Sequence, residues 1–245
     1  MRDTPAVRPG GADPPAVRPA GWWFDVVLVG AFVGLTVALA NGLLLDLDTA
    51  VRDWCAQHRP TVGYWLARGV NLLGNGGPLT ALCLLVAAVL AVRQRTVRPG
   101  LPVVAAFVLT GAAILPLKLW TDRAAPASLL PDRVELFNTL PPGEYSLSYP
   151  SGHLVNTVVW YGVLTLLLAP WLGPAVRRWL RIAPSVLVLG STVYLGFHWV
   201  TDSIAGLVLG LLLDRLLRRI RWARLPLPAA VDRDTGPVAT SGPVA

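Results

Sequence analysis

Residues 101–120 read LPVVAAFVLTGAAILPLKLW, an apolar run whose only charged member is Lys118, close to its end. A helix needs roughly 20 such residues to cross the hydrocarbon core of a bilayer, because it rises only about 1.5 Å per residue. The run therefore predicts a transmembrane helix over Leu101–Trp120, with one cation near a membrane surface.

Similar apolar runs lie on both sides of this stretch. The predicted spans are Trp22–Leu45, Pro78–Val92, Leu101–Trp120, Leu154–Leu172, Ile182–Phe197 and Ser203–Leu217. The second and fifth are short for a bilayer. Hydrophobic residues make up 54% of the 245 residues and charged residues only 14%, whereas a soluble domain carries about 25% charged residues. We therefore predict an all-α, polytopic membrane protein with six transmembrane helices, in one domain over residues 21–220.

The charges of the connections predict the orientation. Arg93–Arg98 and Trp171–Arg181 each hold three Arg and no acid, and Arg218–Arg224 follows the last span. Residues 46–77 balance their charges, and residues 121–150 carry more acids than bases. We expect a multi-pass protein of the cell membrane, and its arginine-rich connections should lie on the cytoplasmic side. Both termini are then cytoplasmic, and the first, third and fifth connections face outward.

The two ends of the chain are low in complexity. PAVRP occurs twice within residues 1–20, and GPVA occurs twice within residues 221–245. Such segments bury too little apolar surface to fold alone. We therefore expect disordered cytoplasmic tails over these two ranges.

Three smaller expectations concern local structure. Thr61–Asn75 mixes apolar residues with Arg68 and Asn71, which favours an interfacial helix. The only cysteines, Cys55 in a predicted loop and Cys83 in a predicted helix, give no disulfide framework or metal-site spacing. Two glycine pairs have the small-residue spacing of closely packed helices, namely Gly30 with Gly34 and Gly206 with Gly210.

The predicted topology brings distant polar residues to the outer membrane level. Lys118 ends the third span, Ser151–His153 opens the fourth, and His198 ends the fifth, with Asp202 one turn further on. Lys118 is the only lysine among 21 basic side chains. A compact ammonium is therefore expected to serve a purpose there, although a lysine that only anchors a helix end is the alternative.

The spacing of these residues suggests a nucleophile or base close to a helix start that binds an anion. If the helix continues past His198, Asp202 at i+4 shares its face, and a carboxylate there that accepts the Nδ1–H would leave Nε2 free as a nucleophile or base. The N–H groups at the start of the fourth span attract an anion, and Gly152 lets it approach the backbone. Asp202 and Ser151 as ordinary helix caps are the alternative interpretation.

At these residues the chain resembles the type 2 phosphatidic acid phosphatase superfamily of membrane lipid phosphatases, related to acid phosphatases and vanadium haloperoxidases. The family motifs are Lys, six residues, Arg-Pro; then Pro-Ser-Gly-His; then Ser-Arg, five residues, His, three residues, Asp. In this chain they stand at Lys118 with Ala125-Pro126, at Pro150–His153, and at Ser191-Thr192 with His198 and Asp202. Order, spacing and span layout agree over about residues 20–220.

The resemblance implies a lipid phosphatase that works through a phosphohistidine, with no metal or other cofactor. It implies that His198 attacks phosphorus, Asp202 orients His198, and His153 protonates the leaving oxygen and then activates water. The groups that it implies for holding the phosphate oxygens are Lys118 and the backbone of Ser151 and Gly152.

Two departures from the family pattern leave an alternative open. Ala125 and Thr192 stand where the family has its two motif arginines, and neither can imitate the planar fork of a guanidinium. Arg123, which we list among the candidate phosphate-binding residues, or Arg133 would replace one missing charge. A pseudoenzyme that binds lipid phosphate without turnover, or a membrane scaffold, is therefore the second hypothesis.

The expected substrate is a lipid phosphate or an isoprenoid pyrophosphate. Phosphatidic acid, an isoprenoid pyrophosphate and a glycolipid phosphate all fit a pocket at the outer face, and the sequence does not choose among them. A transporter or channel would need polar residues deep within the spans, and these are almost absent. The net charge of +7 comes without a basic stretch interleaved with aromatic residues, so we expect no nucleic acid partner. The oligomeric state is left open.

Overall fold

The computed structural model describes residues 21–138 and 147–228. Within these ranges the chain is helical, without strands. The α-helices are α1 Trp22–Ala40, α2 Leu45–Gln57, α3 Thr61–Asn71, α4 Gly76–Gln94, α5 Gly100–Thr121, α6 Gly152–Leu167, α7 Pro174–Tyr194 and α8 Val200–Arg219. Short 3-10 turns follow α3 at Leu72–Gly74 and α8 at Trp222–Arg224. The predicted all-α class is confirmed.

The apolar helices differ in how far they satisfy the requirements of a bilayer. Among the described residues, α1, α4 and α5 are each long and apolar enough to cross a membrane, and α6 is apolar but shorter. Their outward faces carry exposed Val and Leu side chains, as on Val33, Leu85 and Val104. Helices α7 and α8 each carry several arginines at one end. These charges shorten the apolar part of each helix, so the count of six spans stays a prediction.

Several helix boundaries differ from the predicted spans, and local backbone chemistry explains them. α1 ends at Ala40 rather than Leu45, because the chain turns at Gly42 with a φ of +76°, which glycine tolerates. α7 begins at Pro174 rather than Ile182, since proline suits the first turn of a helix.

Helix α2 is the element that hydropathy missed. Its 13 residues mix three Asp and an Arg with apolar side chains, and it packs against α7 and α8. Such an amphipathic helix has low mean hydropathy, so the sequence predicted a connection there. Cys55 is consequently helical and buried, which corrects its predicted place in a loop. The helix predicted within Thr61–Asn75 is present as α3 and the 3-10 turn.

Helix α6 lies at the centre of the bundle and contacts α4, α5, α7 and α8. Its large side chain Trp160 and the neighbouring Val155 and Val159 are almost fully buried. Burial of that kind on several faces makes a helix apolar all round, and this is why the sequence resembles a membrane span there.

One of the two predicted glycine pairs does pack closely. A Cβ on Gly206 would collide with the Ser151 carbonyl, and a Cβ on Gly210 would lie 3.0 Å from the Cβ of Val158. α8 therefore approaches α6 closely enough for the Ser151 N–H to donate to the Asp202 carbonyl at 3.0 Å.

The other predicted pair, Gly30 with Gly34, does not pack closely against a described helix. A Cβ on Gly30 or Gly34 would meet no atom of the described residues within 4 Å. The packing prediction is therefore wrong for this pair. Both glycines lie on a face of α1 that no described helix covers.

At the opposite end of the bundle, buried carboxylates join the helices. Asp214 accepts from Arg181 at 2.5 Å and Arg218 at 2.9 Å, which links α7 to α8. Asp25 on α1 pairs with Arg215 at 2.6 Å and also with Arg219. Acidic partners in the interior neutralise part of the arginine charge of α8.

Only a small part of the predicted tails lies within the described residues. Arg98 donates to the carbonyls of Trp222 at 3.3 Å and Leu225 at 3.0 Å, so the chain just after α8 lies against the connection between α4 and α5. The predicted tail over 1–20, and the rest of the C-terminal one from residue 229 onward, fall outside the described residues.

Candidate active site

The Pro-Ser-Gly-His segment opens α6, as the sequence predicted. Ser151 is the N-cap, and its Oγ lies 3.5 Å from the backbone N of Leu154. A Cβ on Gly152 would lie 3.7 Å from Lys118 Cε. The lysine from α5 therefore flanks the N-terminus of α6, so an ammonium and the positive end of a helix are neighbours. Lys118 Nζ donates to the Leu147 carbonyl.

His153 and His198 lie in direct contact. Nδ1 of His153 is 3.3 Å from Nε2 of His198, and the two rings meet edge to face with centroids 5.5 Å apart. His198 lies in the short connection between α7 and α8, which turns at Gly196 with a φ of +74°. That conformation favours glycine, and it directs the chain from α7 back toward the start of α6.

The other nitrogen of His198 faces a backbone carbonyl. Nδ1 lies 3.0 Å from the carbonyl oxygen of Ser148 and 3.8 Å from the nearer carboxylate oxygen of Asp202. A carbonyl can only accept, so Nδ1 carries the proton and Nε2 keeps its lone pair.

The expectation that Asp202 accepts the Nδ1–H is therefore corrected. The Ser148 carbonyl takes that place, and the Ser148 hydroxyl donates to Asp202 at 2.6 Å. Asp202 acts on His198 from behind Ser148. No residue pattern marks Ser148, because the group that holds the histidine is a carbonyl and every residue has one.

Arg123 is fully buried behind Asp202. Its NH1 donates to Asp202 Oδ1 at 2.5 Å and its NH2 donates to Asp48 Oδ2 at 2.7 Å. The remaining N–H groups donate to the Thr201 hydroxyl at 2.9 Å and twice to the Val134 carbonyl. Every N–H of the guanidinium thus has an acceptor within the protein.

The structure therefore gives Arg123 a different place from the one expected for a phosphate-binding replacement. Its donors are occupied, and its contact with the site runs through Asp202. Arg133 donates to the Ser128 carbonyl at 2.8 Å, within its own connection. Neither arginine contacts the histidine pair.

The two positions that lack the family arginines are occupied by small side chains. Thr192 is fully buried, and its hydroxyl donates back to the Val188 carbonyl at 2.8 Å. Its own carbonyl accepts from the backbone N of Phe197 at 3.0 Å, which closes the turn before His198. Ala125 is half-buried in the loop that follows α5.

Helix α3 contributes side chains that the sequence had placed only at the membrane interface. Asn71 is buried, and its Nδ2 lies 3.4 Å from Nε2 of His153. One turn earlier, the guanidinium of Arg68 lies over the ring of Phe197, 5.6 Å from the ring centroid. The mixture of polar and apolar residues over Thr61–Asn75 was the only signal in the sequence.

Tyr149 fixes the segment that leads into α6. It is fully buried, and its hydroxyl lies 2.6 Å from Thr36 Oγ1 on α1. Its carbonyl accepts from Thr121 Oγ1 at 3.3 Å, at the end of α5. Burial raises the pKa of Tyr149 to about 12, so the side chain stays a neutral hydrogen-bonding group near neutral pH.

Among the residues that the structure describes, no group of three or more His, Cys, Asp or Glu side chains is arranged to hold a metal ion.

The fold and the site define an integral membrane protein with a histidine pair at one end of a helical bundle. Residues 99–226 match the PAP2 superfamily. Phosphatidylglycerophosphatase B of Bacillus subtilis is 32% identical over 192 residues, which cover 76% of this chain and 89% of that protein. An undecaprenyl-diphosphatase of Sulfolobus acidocaldarius is 37% identical over 126 residues, 51% of this chain and 56% of that protein.

The likeness extends to a solved structure. The crystal structure of a transmembrane PAP2-type phosphatidylglycerolphosphate phosphatase from Bacillus subtilis superimposes with a TM-score of 0.66 at 27% identity. The match covers 80% of this chain and 94% of that one. The chain belongs to the PAP2 superfamily, as its motifs predicted.

Proposed function

We propose that this protein is a membrane lipid phosphatase that hydrolyses a phosphomonoester or a diphosphate of a lipid through a phosphohistidine on His198. The named relatives are phosphatases of phosphatidylglycerophosphate and of undecaprenyl diphosphate. Their substrates share a phosphate on a lipid, and that shared group is the substrate class that we assign to this chain.

The observation that carries the proposal is a hydrogen-bonded line through both histidines. The Asn71 amide faces His153 Nε2 at 3.4 Å, His153 Nδ1 faces His198 Nε2 at 3.3 Å, and His198 Nδ1 faces the Ser148 carbonyl at 3.0 Å. One consistent set of protons has Asn71 donating to His153, His153 donating to His198, and His198 donating to Ser148. It leaves Nε2 of His198 as the nucleophile, with a proton donor beside it.

In the first step, Nε2 of His198 attacks phosphorus as the bond from phosphorus to the lipid oxygen breaks. His153, which the bound phosphate anion would protonate on both ring nitrogens, gives its Nδ1 proton to the departing oxygen and is left as a neutral imidazole. Substrate binding would part this nitrogen from His198, because the departing oxygen lies opposite the attacking nitrogen. Asp202 and the Ser148 carbonyl stabilise the positive charge on the His198 ring.

In the second step, water attacks phosphorus while His153 takes one of its protons. The bond from nitrogen to phosphorus breaks, inorganic phosphate leaves, and His198 returns to its neutral form. His153 thus serves as an acid and then as a base, as reversal of the same proton path requires.

The phosphate oxygens would be held by the N–H groups of Ser151 and Gly152 at the start of α6, together with Lys118. Lys118 donates to the Leu147 carbonyl in this structure. Phosphate binding would therefore exchange that bond for one to a charged acceptor, which is the stronger hydrogen bond.

We further propose that the protein lies in the cell membrane with both termini in the cytoplasm and the active site facing outward. The arginine-rich connections support this orientation. The histidine pair is at the other end of the bundle from Asp25 and Asp214 and their arginine partners.

Phosphate release by purified protein in detergent, measured across a panel of lipid phosphates, tests the proposal. We expect His198→Ala to lower turnover by at least about a thousandfold, since a missing nucleophile removes the covalent route. His58→Ala is the matched control, because His58 is exposed and its ring stacks on Trp54, 4.7 Å between centroids. Turnover that survives His198→Ala contradicts the phosphohistidine mechanism.

The second candidate function is a protein that binds lipid phosphate without turnover or acts as a scaffold. The observations in its favour are the small residues Ala125 and Thr192 and the full occupation of Arg123. Binding of a lipid phosphate without any release of inorganic phosphate, across the whole panel, would establish it instead.

A further inference from the structure

Arg68 differs from the other arginines on the predicted outer side. The two longer outer connections hold five arginines. Four have partners: Arg52 pairs with Asp53, Arg59 donates to the Tyr194 carbonyl, and Arg123 and Arg133 are bonded as described above. Within residues 21–138 and 147–228, the exposed guanidinium of Arg68 has no hydrogen bond or ion pair, and it lies over the face of Phe197.

This cation lies beside the histidine pair. Phe197 directly precedes His198, and its ring centroid is 6.5 Å from that of His153. Arg68 and Asn71 are three residues apart on α3, and side chains at this spacing share one helix face. Because Asn71 contacts His153, Arg68 lies about one helical turn from the catalytic rings.

A buried group on the same face also lacks a partner. Asn71 is only 7% exposed, and its Oδ1 has no hydrogen-bond partner among the described residues. Buried amides are rarely left half-satisfied in folded proteins. An amide and a guanidinium on one face of α3 thus present unused hydrogen-bonding capacity toward the mouth of the site.

Without Arg68, the described cations surround the substrate phosphate on one side only. Lys118 and the start of α6 approach the histidines from the Gly152 side. On the Phe197 side, Thr192 is neutral and Arg123 has all its donors occupied. A phosphate group held between the two histidines would therefore meet a cation on one side only, unless Arg68 turns toward it.

We propose that Arg68 supplies the guanidinium that binds the non-bridging oxygens of the substrate phosphate. The phosphate-binding arginine then comes from α3 and takes over from the positions now held by Ala125 and Thr192. This inference rests on the proposed lipid phosphatase activity. The Arg68 guanidinium lies over the Phe197 ring in this structure. Its planar fork of N–H groups can bind two phosphate oxygens at once.

Three variants in detergent-purified protein test this assignment through phosphate release from the best lipid phosphate of the panel. We expect Arg68→Ala to lower kcat/KM by about 10- to 100-fold, as the loss of a hydrogen bond to a charged group does. Arg68→Lys should recover part of the loss, because it keeps the charge without the fork. Arg52→Ala, the matched outer arginine, should stay within about twofold.

A second readout excludes a merely structural role. Inhibition by inorganic phosphate should weaken in Arg68→Ala in parallel with kcat/KM, while the unfolding temperature stays unchanged because the side chain is exposed. A variant with unchanged kcat/KM and unchanged inhibition by phosphate overturns the assignment. So does a loss of activity accompanied by a lower unfolding temperature and by normal inhibition by phosphate in the folded fraction.

The failure of this inference is separable from failure of the proposed function. If the wild-type protein releases no phosphate from any lipid, the enzyme proposal fails. Binding of inorganic phosphate, followed by phosphorus NMR line broadening, then still compares wild type with Arg68→Ala. Weaker binding in the variant supports Arg68 as the phosphate ligand, and equal binding overturns it.

Discussion

Arg123 shows how strongly the surroundings of one side chain decide its role. It is fully buried between Asp48 and Asp202, both of which are also buried. Charges removed from water are tolerated only when they are paired and hydrogen-bonded. Here the pairing ties α2, the loop after α5, and α8 together directly behind His198.

Removal of this guanidinium should be strongly destabilising. Arg123→Ala leaves two buried carboxylates without their cation, and we expect the free energy of unfolding to fall by about 3–5 kcal/mol. Denaturant unfolding in detergent measures this loss. Arg133→Ala is the control from the same loop and should change stability by about 0.5 kcal/mol or less. An equal effect of the two variants would contradict the structural role of Arg123.

His198 illustrates a second point about single residues. A carboxylate at i+4 is the partner that spacing suggests, yet the Ser148 carbonyl lies closer to Nδ1, at 3.0 Å against 3.8 Å for Asp202. Asp202 instead accepts from the Ser148 hydroxyl at 2.6 Å and from the Trp199 N–H at 3.0 Å. Its negative charge therefore holds the loop that holds the histidine.

The contact between α6 and α8 sets the distance between the two halves of the site. His153 begins α6 and Asp202 lies in the first turn of α8, so the approach of these two helix ends brings the histidine pair together. Gly206 is the residue that permits the approach, since a Cβ there would collide with the Ser151 carbonyl.

A methyl group at this point should disturb both stability and catalysis. We expect Gly206→Ala to lower the free energy of unfolding by about 1–3 kcal/mol, as overpacking does, and to reduce kcat by separating the helix ends. The matched control is Gly34→Ala, where a Cβ meets no described atom within 4 Å. Unfolding and phosphate-release assays of the two variants give the comparison, and a stable, fully active Gly206→Ala protein would sink this account of the contact.

Helices α2 and α3 carry polar groups into a site that is otherwise built at the ends of apolar helices. α2 supplies Asp48 to Arg123, and α3 supplies Asn71 to His153. Both helices are amphipathic, so their polar faces can point inward to the site while their apolar residues contact the bundle and its surroundings. The first long connection is therefore part of the end of the molecule that holds the histidine pair.

The molecule as a whole separates its charged groups into two layers. Asp25 and Asp214 with their arginines lie at one end of the bundle, and the histidine pair with Lys118 and Arg123 lies at the other. Between them the core is built of apolar side chains such as Val155, Val159 and Leu213. This separation is what a protein needs if it carries out chemistry on a head group at one membrane surface.

Cysteine labelling in whole cells tests the orientation of the two layers. Leu129, in the loop after α5, is 96% exposed. In a background without Cys55 and Cys83, we expect Leu129→Cys to react with a membrane-impermeant maleimide from outside. Gln94→Cys, at the end of α4, should react only after the membrane is opened. The reverse pattern would overturn both the topology and the outward-facing site.

The helical class and the placing of the motif residues at one end of the bundle were accessible from the sequence because their causes are local. Apolar runs such as Leu101–Trp120 become helices in a membrane because their own backbone must satisfy its hydrogen bonds. The Pro-Ser-Gly-His segment starts α6 because serine caps helices. His198 lies before α8 rather than on a helix, but the spacing still keeps its Nδ1 3.8 Å from a carboxylate oxygen of Asp202. These features need only a few adjacent residues, so a single sequence displays them.

The remaining parts depend on contacts between residues far apart in the chain. Asp48 meets Arg123, Asn71 meets His153, and Gly206 meets Ser151 only after the helices have packed. The group that orients His198 is a backbone carbonyl, which no side-chain pattern reveals. Helix packing brings such partners together and excludes water around them. Because a buried carboxylate without a donor costs free energy, each one pairs with the donor that packing brings close. The tertiary structure alone could therefore show that Arg123 is held within the protein, whereas Arg68 lies over Phe197 with no hydrogen bond or ion pair among the described residues.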